Sequence, residues 1–113
     1  MAVHQLRIYE LDRTKRDAFH MRFRDHAVPI IESYGLRILA MWESDTDGRL
    51  EFVYLVESPD RATLERQWDL FMADESWSRA KQEVRSAIGG EPVLDVSSRV
   101  LETVEYPPYR LPS

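Results

Sequence analysis

The chain has 113 residues, of which 43% are hydrophobic and 31% are charged. This length predicts a single domain, residues 1–113, with one modest core. The formal net charge of −5 argues against nucleic-acid binding, which depends on clustered Lys and Arg. The absence of cysteine excludes disulfides, thiolate metal sites and a cysteine nucleophile.

The N-terminal residues do not form the apolar run of a signal peptide, because His4, Gln5, Arg7 and Glu10 interrupt it. The sequence also has no stretch that approaches the roughly 20 apolar residues of a membrane span. We therefore expect a soluble cytoplasmic protein without a membrane span.

The first predicted strand runs from Val3 to Leu11. Its alternating pattern places Leu6 and Ile8 on one face and Arg7 and Tyr9 on the other. Two interpretations of Arg7 stay open at this point: an anchor for an anion, or an exposed strand residue.

A long amphipathic helix is predicted from Thr14 to Tyr34, with Gly35 as its left-handed end. Thr14 followed by Asp17 is typical of a capping box at the start of a helix. Pro29 removes one internal hydrogen bond, so we expect a kink there. The buried stripe is predicted to contain Phe19, Phe23, Ala27, Ile30 and Tyr34.

Two strands follow, Leu36 to Ser44 and Leu50 to Glu57, and they form a hairpin around the turn residues 45–49. If Asp45 pairs with Arg49, the register is fixed along the whole hairpin. The expected pairs on one face are Ile38 with Val56, Ala40 with Tyr54, and Trp42 with Phe52; those on the other are Leu39 with Leu55, Met41 with Val53, and Glu43 with Glu51. Both faces of the hairpin are largely apolar, so one layer of helices cannot cover both.

Ser58 and Pro59 predict the start of a second helix, and Asp74 predicts the cap of a third, which ends at Gly89 and Gly90. The last strand is predicted from Val93 to Val104, followed by an extended tail, residues 105–113. The buried stripes of the two helices are predicted to be Leu64, Trp68, Phe71 and Met72, then Trp77, Ala80, Val84 and Ile88.

The order of these elements is typical of a ferredoxin-like α+β sandwich, in which an antiparallel sheet carries helices on one face. The other face of the sheet would then expose an apolar surface. Monomers rarely tolerate such a patch. A second copy of the chain would cover it, so the sequence predicts a homodimer that packs through its sheet faces.

Several segments resemble the NIPSNAP family: residues 7–11 on the first strand, residues 23–29 in the first helix, Gly35, Trp42 followed by Glu43, and Trp68 followed by residues 74–77. The resemblance extends from Leu6 to Val104. It implies a dimeric α+β barrel of ferredoxin-like subunits, in a superfamily that includes cofactor-free monooxygenases, isomerases, cyclases and haem-handling enzymes. The resemblance implies this fold and does not imply one reaction.

His26 is the candidate catalytic residue, because helical spacing from Phe23 and Ile30 is expected to turn its imidazole toward the sheet. It can act as a general base in a pocket beside the kink at Pro29, or it can be a core histidine bonded to a backbone carbonyl. The histidines do not form a metal motif, since His20 and His26 lie on different sides of a helix, and we expect no metal or other cofactor.

Tyr9, Trp42, Tyr54 and Arg7 are the candidate ligand-binding residues. The alternative is core or interface packing for the three aromatic residues and an exposed position for Arg7. Their chemistry suits a hydrophobic or aromatic small molecule held between helices and sheet. We expect a dimer that binds such a molecule, with cofactor-free oxygenation or isomerisation as the reaction types that these residues suit. The alternatives are a dimer that binds a small ligand without catalysis, and a protein-interaction module.

Overall fold

The computed structural model of the chain describes residues 2–106. Four antiparallel strands form one sheet in the order β2-β3-β1-β4. The strands are β1 (Val3–Leu11), β2 (Arg37–Thr46), β3 (Arg49–Ser58) and β4 (Val93–Glu102). The helices are α1 (Arg16–Arg22), α2 (Val28–Ser33), α3 (Arg61–Met72) and α4 (Glu75–Ile88). The predicted ferredoxin-like α+β class is confirmed, and the predicted tail lies outside the described residues after Tyr106.

All the helices lie against one face of the sheet, which we call the helix face. Its centre is formed by Phe52 and Tyr54 of β3, which are buried, while the intervening residues of β3 are partly exposed. Phe19 and Phe23 pack on these rings, with centroids 5.1 Å (Phe19 to Phe52) and 5.0 Å (Phe23 to Tyr54) apart. Burial of large aromatic rings at this contact is the main source of stability for the packing of the first helical segment.

The first helical segment is not one continuous α-helix, contrary to the prediction. A 3₁₀ turn, Arg13–Lys15, precedes α1, and a π turn, Phe23–Ala27, separates α1 from α2. The predicted capping box at Thr14 is also wrong, because the side chain of Asp12 accepts the Thr14 N–H at 2.9 Å. An N-cap acid two residues earlier therefore satisfies the first free amide.

The π turn changes which residues of this segment are buried. A π turn has more residues per turn than an α-helix, so residues four apart stay on one line. Phe19, Phe23, Ala27 and Ile31 are each at most 4% exposed, whereas the predicted Ile30 and Tyr34 are half-buried. His26 lies outside this line and is exposed. The expectation that its imidazole points toward the sheet is wrong for this reason.

Pro29 and Gly35 have the local roles that the sequence predicts. Pro29 follows the π turn, where the Val28 N–H bonds to the Phe23 carbonyl five residues earlier, as expected of a helix that a proline disturbs. Gly35 has a φ of +89° and ends the segment in a left-handed conformation.

The hairpin of β2 and β3 has a register one residue away from the predicted one over most of its length. Asp47 and Gly48 form a two-residue turn with φ of +54° and +77°, so Thr46 pairs with Arg49 and Trp42 lies opposite Val53. The predicted pairing of Trp42 with Phe52 is wrong. Ile38 does lie opposite Val56, because the register shifts between Ile38 and Ala40.

Helix α3 begins later than predicted, whereas α4 begins as predicted. Asp60, rather than Ser58, caps α3 by accepting the Thr63 N–H at 2.7 Å. Ser58 is buried and donates to Gln67 at 2.7 Å. Asp74 caps α4 through the Trp77 N–H at 2.8 Å. Apart from Met72, which is exposed, and Ile88, which is half-buried, the predicted stripes of both helices are buried.

The outer face of the sheet, opposite the helices, carries an apolar strip. We define it by the strand partners Leu6 with Leu55, Ile8 with Val53, and the neighbouring Ala40 and Trp42. Trp42 is 51% exposed, and the other five residues are half-buried. Met41, predicted to share a face with Val53, instead lies opposite Tyr54 on the helix face.

Candidate functional site

A cavity of about 240 Å³ lies between the sheet and the helices, and we call it the helix–sheet cavity. Strand β1 contributes Arg7 and Tyr9, whose side chains point to the helix face because they alternate with Leu6 and Ile8. Helices α3 and α4 contribute Phe71 and Trp77, whose rings stack at 5.1 Å. The cavity therefore has aromatic walls and one cationic group on its floor.

Arg7 is the group on which the chemistry of this cavity depends. Its Nη2 donates to the Tyr9 hydroxyl at 3.3 Å, and its guanidinium carbon lies 4.3 Å from the centre of the Trp68 ring. Within residues 2–106, no carboxylate forms an ion pair with Arg7, and its buried Nε has no hydrogen-bond partner. Burial lowers the pKa of Arg7 and the nearby Tyr9 and Tyr54 raise it, with a net rise. Arg7 thus carries a full positive charge at the cavity.

Behind Arg7, two tyrosines form a hydrogen-bonded pair. The hydroxyl oxygens of Tyr9 and Tyr54 are 2.6 Å apart, and Tyr54 is fully buried. Burial is the main reason that the pKa of Tyr54 is raised well above its ordinary value, and the Tyr9 hydroxyl adds to it. Tyr54 therefore stays protonated at neutral pH and can donate to Tyr9, whose own hydrogen is then free for the cavity or for a ligand.

The opposite wall of the cavity is an ion cluster around Glu91. Its carboxylate accepts two bonds of 2.9 Å from the buried Arg22 and one of 2.8 Å from Arg85. The Val93 amide adds a further bond of 2.8 Å. Burial raises the pKa of Glu91, but Arg22, the Val93 amide and Arg85 together lower it to about 2. Glu91 is therefore ionised at neutral pH and neutralises part of the positive charge of Arg22 and Arg85.

Lys81 adds a fourth cation to the cavity lining. Its Nζ lies 5.5 Å from the centre of the Trp77 ring. Burial lowers its pKa, and the neighbouring Arg85 and Arg22 lower it further. Among residues 2–106, the lining holds four cationic side chains and one carboxylate, so this part of the lining is net positive although the whole chain is negative. This polarity favours an anionic ligand.

The structure brings together three of the five residues that the sequence singled out. Arg7 and Tyr9 line the helix–sheet cavity, and Tyr54 contacts it through Tyr9. Trp42 lies on the outer face because the hairpin register differs from the predicted one, and His26 points to solvent because of the π turn. Neither of these two residues lines the cavity. Ligand binding by the remaining three stays a prediction.

The sequence interpretation missed four charged residues of the lining, which we call the cationic wall: Arg22, Lys81, Arg85 and Glu91. Arg22 and Glu91 are 69 positions apart, so a single sequence carries no local signal for their contact. Lys81 and Arg85, in contrast, follow Trp77 at intervals of four on α4. Helical spacing alone places these three side chains along one side of the helix. This spacing is the signal in the sequence that points to Lys81 and Arg85.

Metal-binding and membrane-spanning features are both absent from the described part of the chain. Within residues 2–106, no three His, Asp or Glu side chains are grouped as a metal site requires. The helices of this part of the chain are too short or too polar to span a membrane.

Comparison with solved structures gives close matches of fold at low sequence identity. A NIPSNAP-like domain protein from Burkholderia xenovorans is 19% identical with a TM-score of 0.76, over 98% of this chain and 92% of that one. A NIPSNAP family protein from Agrobacterium tumefaciens is 13% identical with a TM-score of 0.79, over 97% and 100%. An antibiotic biosynthesis monooxygenase is 19% identical with a TM-score of 0.56, over 91% and 99%. Similarities at these identities establish the fold alone.

No curated protein matches the chain. The family model of NIPSNAP matches residues 4–108, which is nearly the whole sequence. This match agrees with the segments in β1, the first helical segment and the start of α4 that resemble the family. The chain belongs to the NIPSNAP family.

Proposed function

We propose that the helix–sheet cavity binds a small aromatic molecule that carries a negative charge, such as a carboxylate or a phenolate. The observation that carries the proposal is Arg7, a cation at the cavity that has no carboxylate partner within residues 2–106. A partly buried charge without a counterion is costly, and a bound anion removes that cost. Tyr9, beside Arg7, offers a hydroxyl donor to the same anion.

The rest of the lining supports an aromatic body for this ligand. Phe71 and Trp77 provide flat apolar surface opposite Tyr9. The cavity volume of about 240 Å³ corresponds to roughly eight water molecules, which suits a molecule with one or two rings. Lys81 and Arg85 add positive charge at the α4 side and favour the approach of an anion.

A direct test compares 2-naphthoate with its neutral amide, 2-naphthamide, by titration calorimetry. We expect naphthoate to bind and the amide to bind at least about tenfold more weakly, because only naphthoate forms a charge-assisted bond with Arg7. Arg7→Met keeps a long side chain without the charge and is expected to reduce naphthoate binding by a similar factor. Arg79→Met, which removes an exposed arginine of α4, is the control. Equal binding of both probes, or unchanged binding by Arg7→Met, contradicts the proposal.

We further propose that the bound molecule is transformed without a cofactor, by oxygenation or isomerisation. The support is the Tyr9 and Tyr54 pair, which can donate a hydrogen bond to an oxyanion that develops on the ligand. A similar fold in an antibiotic biosynthesis monooxygenase is consistent with this chemistry. Native mass spectrometry of the purified protein would identify a co-purified ligand. Incubation with that ligand in air then separates an enzyme, which forms product, from a non-catalytic binding protein, which does not.

A homodimer that packs through the outer faces of two sheets is part of the same proposal. The apolar strip on that face supports it, since half-buried Val53 and Leu55 and the exposed Trp42 would be covered by a second copy. The cytoplasmic location expected from the sequence stays a prediction.

A further inference from the structure

A second cavity, of about 370 Å³, lies beside the π turn at the edge of the sheet formed by β2. Its walls are mainly apolar and come from the first helical segment and the hairpin. In the described part of the chain, the two cavities share no lining residue. The lining residues are His20, Phe23, Arg24, Val28, Met41 and Phe52.

His20 is the candidate proton acceptor of this cavity, and three contacts hold its ring in place. Its ring meets Phe19 and Phe52 edge to face, with centroids 5.3 and 5.6 Å away. Its Nε2 forms a hydrogen bond with the Glu43 carboxylate. The imidazole is therefore fixed in orientation although it is about one-third exposed.

Glu43 is itself held by Arg16. The guanidinium of Arg16 donates two bonds to the carboxylate, from Nε at 2.9 Å and from Nη2 at 2.7 Å. Arg16 is the main reason that the pKa of Glu43 is lowered to about 2, and His20 contributes. Glu43 therefore remains an anion at neutral pH and accepts the Nε2–H hydrogen of His20.

This pairing determines what the other ring nitrogen can do. When Nε2 of a neutral imidazole carries the hydrogen, Nδ1 has a free lone pair. Within residues 2–106, Nδ1 of His20 has no hydrogen-bond partner. A proton added at Nδ1 gives an imidazolium that Glu43 stabilises, as in the carboxylate–imidazole pairs of known general bases.

We propose that the second cavity binds an apolar phenol and that His20 accepts its hydroxyl hydrogen. The phenol O–H bond breaks, an N–H bond forms at Nδ1, and both electrons of the O–H bond stay on the oxygen as phenolate. Phe23, Val28 and Phe52 contact the ring of the phenol. Arg24 also lines the cavity, but its charge is compensated by Asp25, whose carboxylate accepts from Nε at 2.7 Å. No other reactant is needed, because the step is a proton transfer.

The proposal is tested with 4-nitrophenol, whose phenolate form absorbs visible light and whose neutral form does not. The full chain is titrated into the dye at about pH 6.5, where most of the free dye is in its neutral form. We expect a saturable rise in phenolate absorbance. His20→Gln is expected to weaken the binding that produces this absorbance by about tenfold, because it removes a hydrogen bond to a charged group. His26→Gln replaces an exposed histidine of the same segment and is expected to keep the full signal.

Two further variants show which of the two cavities produces the absorbance signal. Met41→Trp narrows the second cavity while His20 and Glu43 keep their natural side chains, and it is expected to lose the signal. The test therefore does not depend on one variant that fails to fold. Arg7→Met removes the cation with which the helix–sheet cavity itself could hold phenolate, and it is expected to keep the part of the signal that His20→Gln removes. No rise with the natural protein, an equal rise with His20→Gln, or loss in Arg7→Met rather than in His20→Gln overturns the proposal.

Discussion

Arg22 and Glu91 show how a residue pair far apart in sequence determines one wall of the helix–sheet cavity. Arg22 is 3% exposed, and both of its terminal nitrogens donate to Glu91 at 2.9 Å. A buried guanidinium without its carboxylate would leave an uncompensated charge, which is strongly destabilising. The pair therefore fixes the end of α1 to the start of β4, where the Val93 amide also bonds to Glu91.

The pH dependence of stability follows from the pKa of Glu91. The pKa is about 2 in the folded chain against an ordinary 4.5, so its contribution is complete above about pH 4.5 and is lost as the pH falls toward 2. We expect Glu91→Gln to lower the free energy of unfolding by about 2 kcal/mol at neutral pH, and by less at about pH 3. Urea unfolding at both pH values measures the difference.

Glu83→Gln is the matched control, because Glu83 is an exposed carboxylate of α4. It is expected to change the free energy of unfolding by at most about 0.5 kcal/mol at either pH. A difference between Glu91→Gln and the natural protein that does not shrink at low pH would show that the ion cluster does not supply the stability.

At the level of single site residues, the sequence was informative where the local structure is regular. Arg7 and Tyr9 were predicted on one face of β1, and both line the cavity. The predicted direction of the His26 side chain was wrong because it assumed 3.6 residues per turn, and this segment contains a π turn. The contact between Arg22 and Glu91 joins distant segments, and periodicity in one segment does not reveal such a contact.

At the scale of elements, the hairpin shows how one turn residue changes a whole face. The segment Asp45 to Arg49 is compatible with a three-residue or a two-residue turn. The two-residue turn at Asp47 and Gly48 is the type that Asp-Gly favours, because both positions need a positive φ. The three-residue turn that we predicted pairs Trp42 with Phe52 of the helix face, whereas Trp42 lies on the outer face. The two strands themselves were predicted within two residues at each end.

This turn gives a test of backbone conformation alone. Gly48 has a φ of +77°, and a methyl group there would meet no atom of residues 2–106 within 4 Å. We expect Gly48→Ala to lower the free energy of unfolding by about 1 kcal/mol, the usual cost of a left-handed conformation for a residue with a Cβ. Thermal or urea unfolding measures this difference.

Gly90→Ala is the control for that prediction, because Gly90 does not have a positive φ. We expect a change of at most about 0.5 kcal/mol for this variant. If Gly48→Ala is as stable as the natural protein, the two-residue turn is not the conformation in solution, and the placement of Trp42 on the outer face fails with it.

At the scale of the whole molecule, the order of elements was sufficient to predict the fold. Strand, helix, strand, strand, helix pair and strand, with both faces of the hairpin apolar, specify an antiparallel sheet with helices on one side. The assignment of residues to the two faces was not settled by this order. Alternation along β3 turns Leu55 outward, because Phe52 and Tyr54 are buried under the helices. The turn at Asp47 and the bulge near Leu39 set the register of β2 against β3, and this register turns Met41 toward the helices.

This assignment makes the homodimer testable. Leu55 lies in the apolar strip of the outer face, and Met41 lies on the helix face of the edge strand β2, where it is 44% exposed. In a dimer that packs through outer faces, Leu55→Asp places two carboxylates in a buried apolar interface, which costs several kcal/mol without compensating partners. We expect Leu55→Asp to give a folded monomer, whereas Met41→Asp stays dimeric.

Light scattering coupled to size-exclusion chromatography at micromolar concentration measures the mass of each variant, with circular dichroism to check the fold. A monomeric natural protein, or a Leu55→Asp variant that remains a dimer, would show that the strip is not the interface.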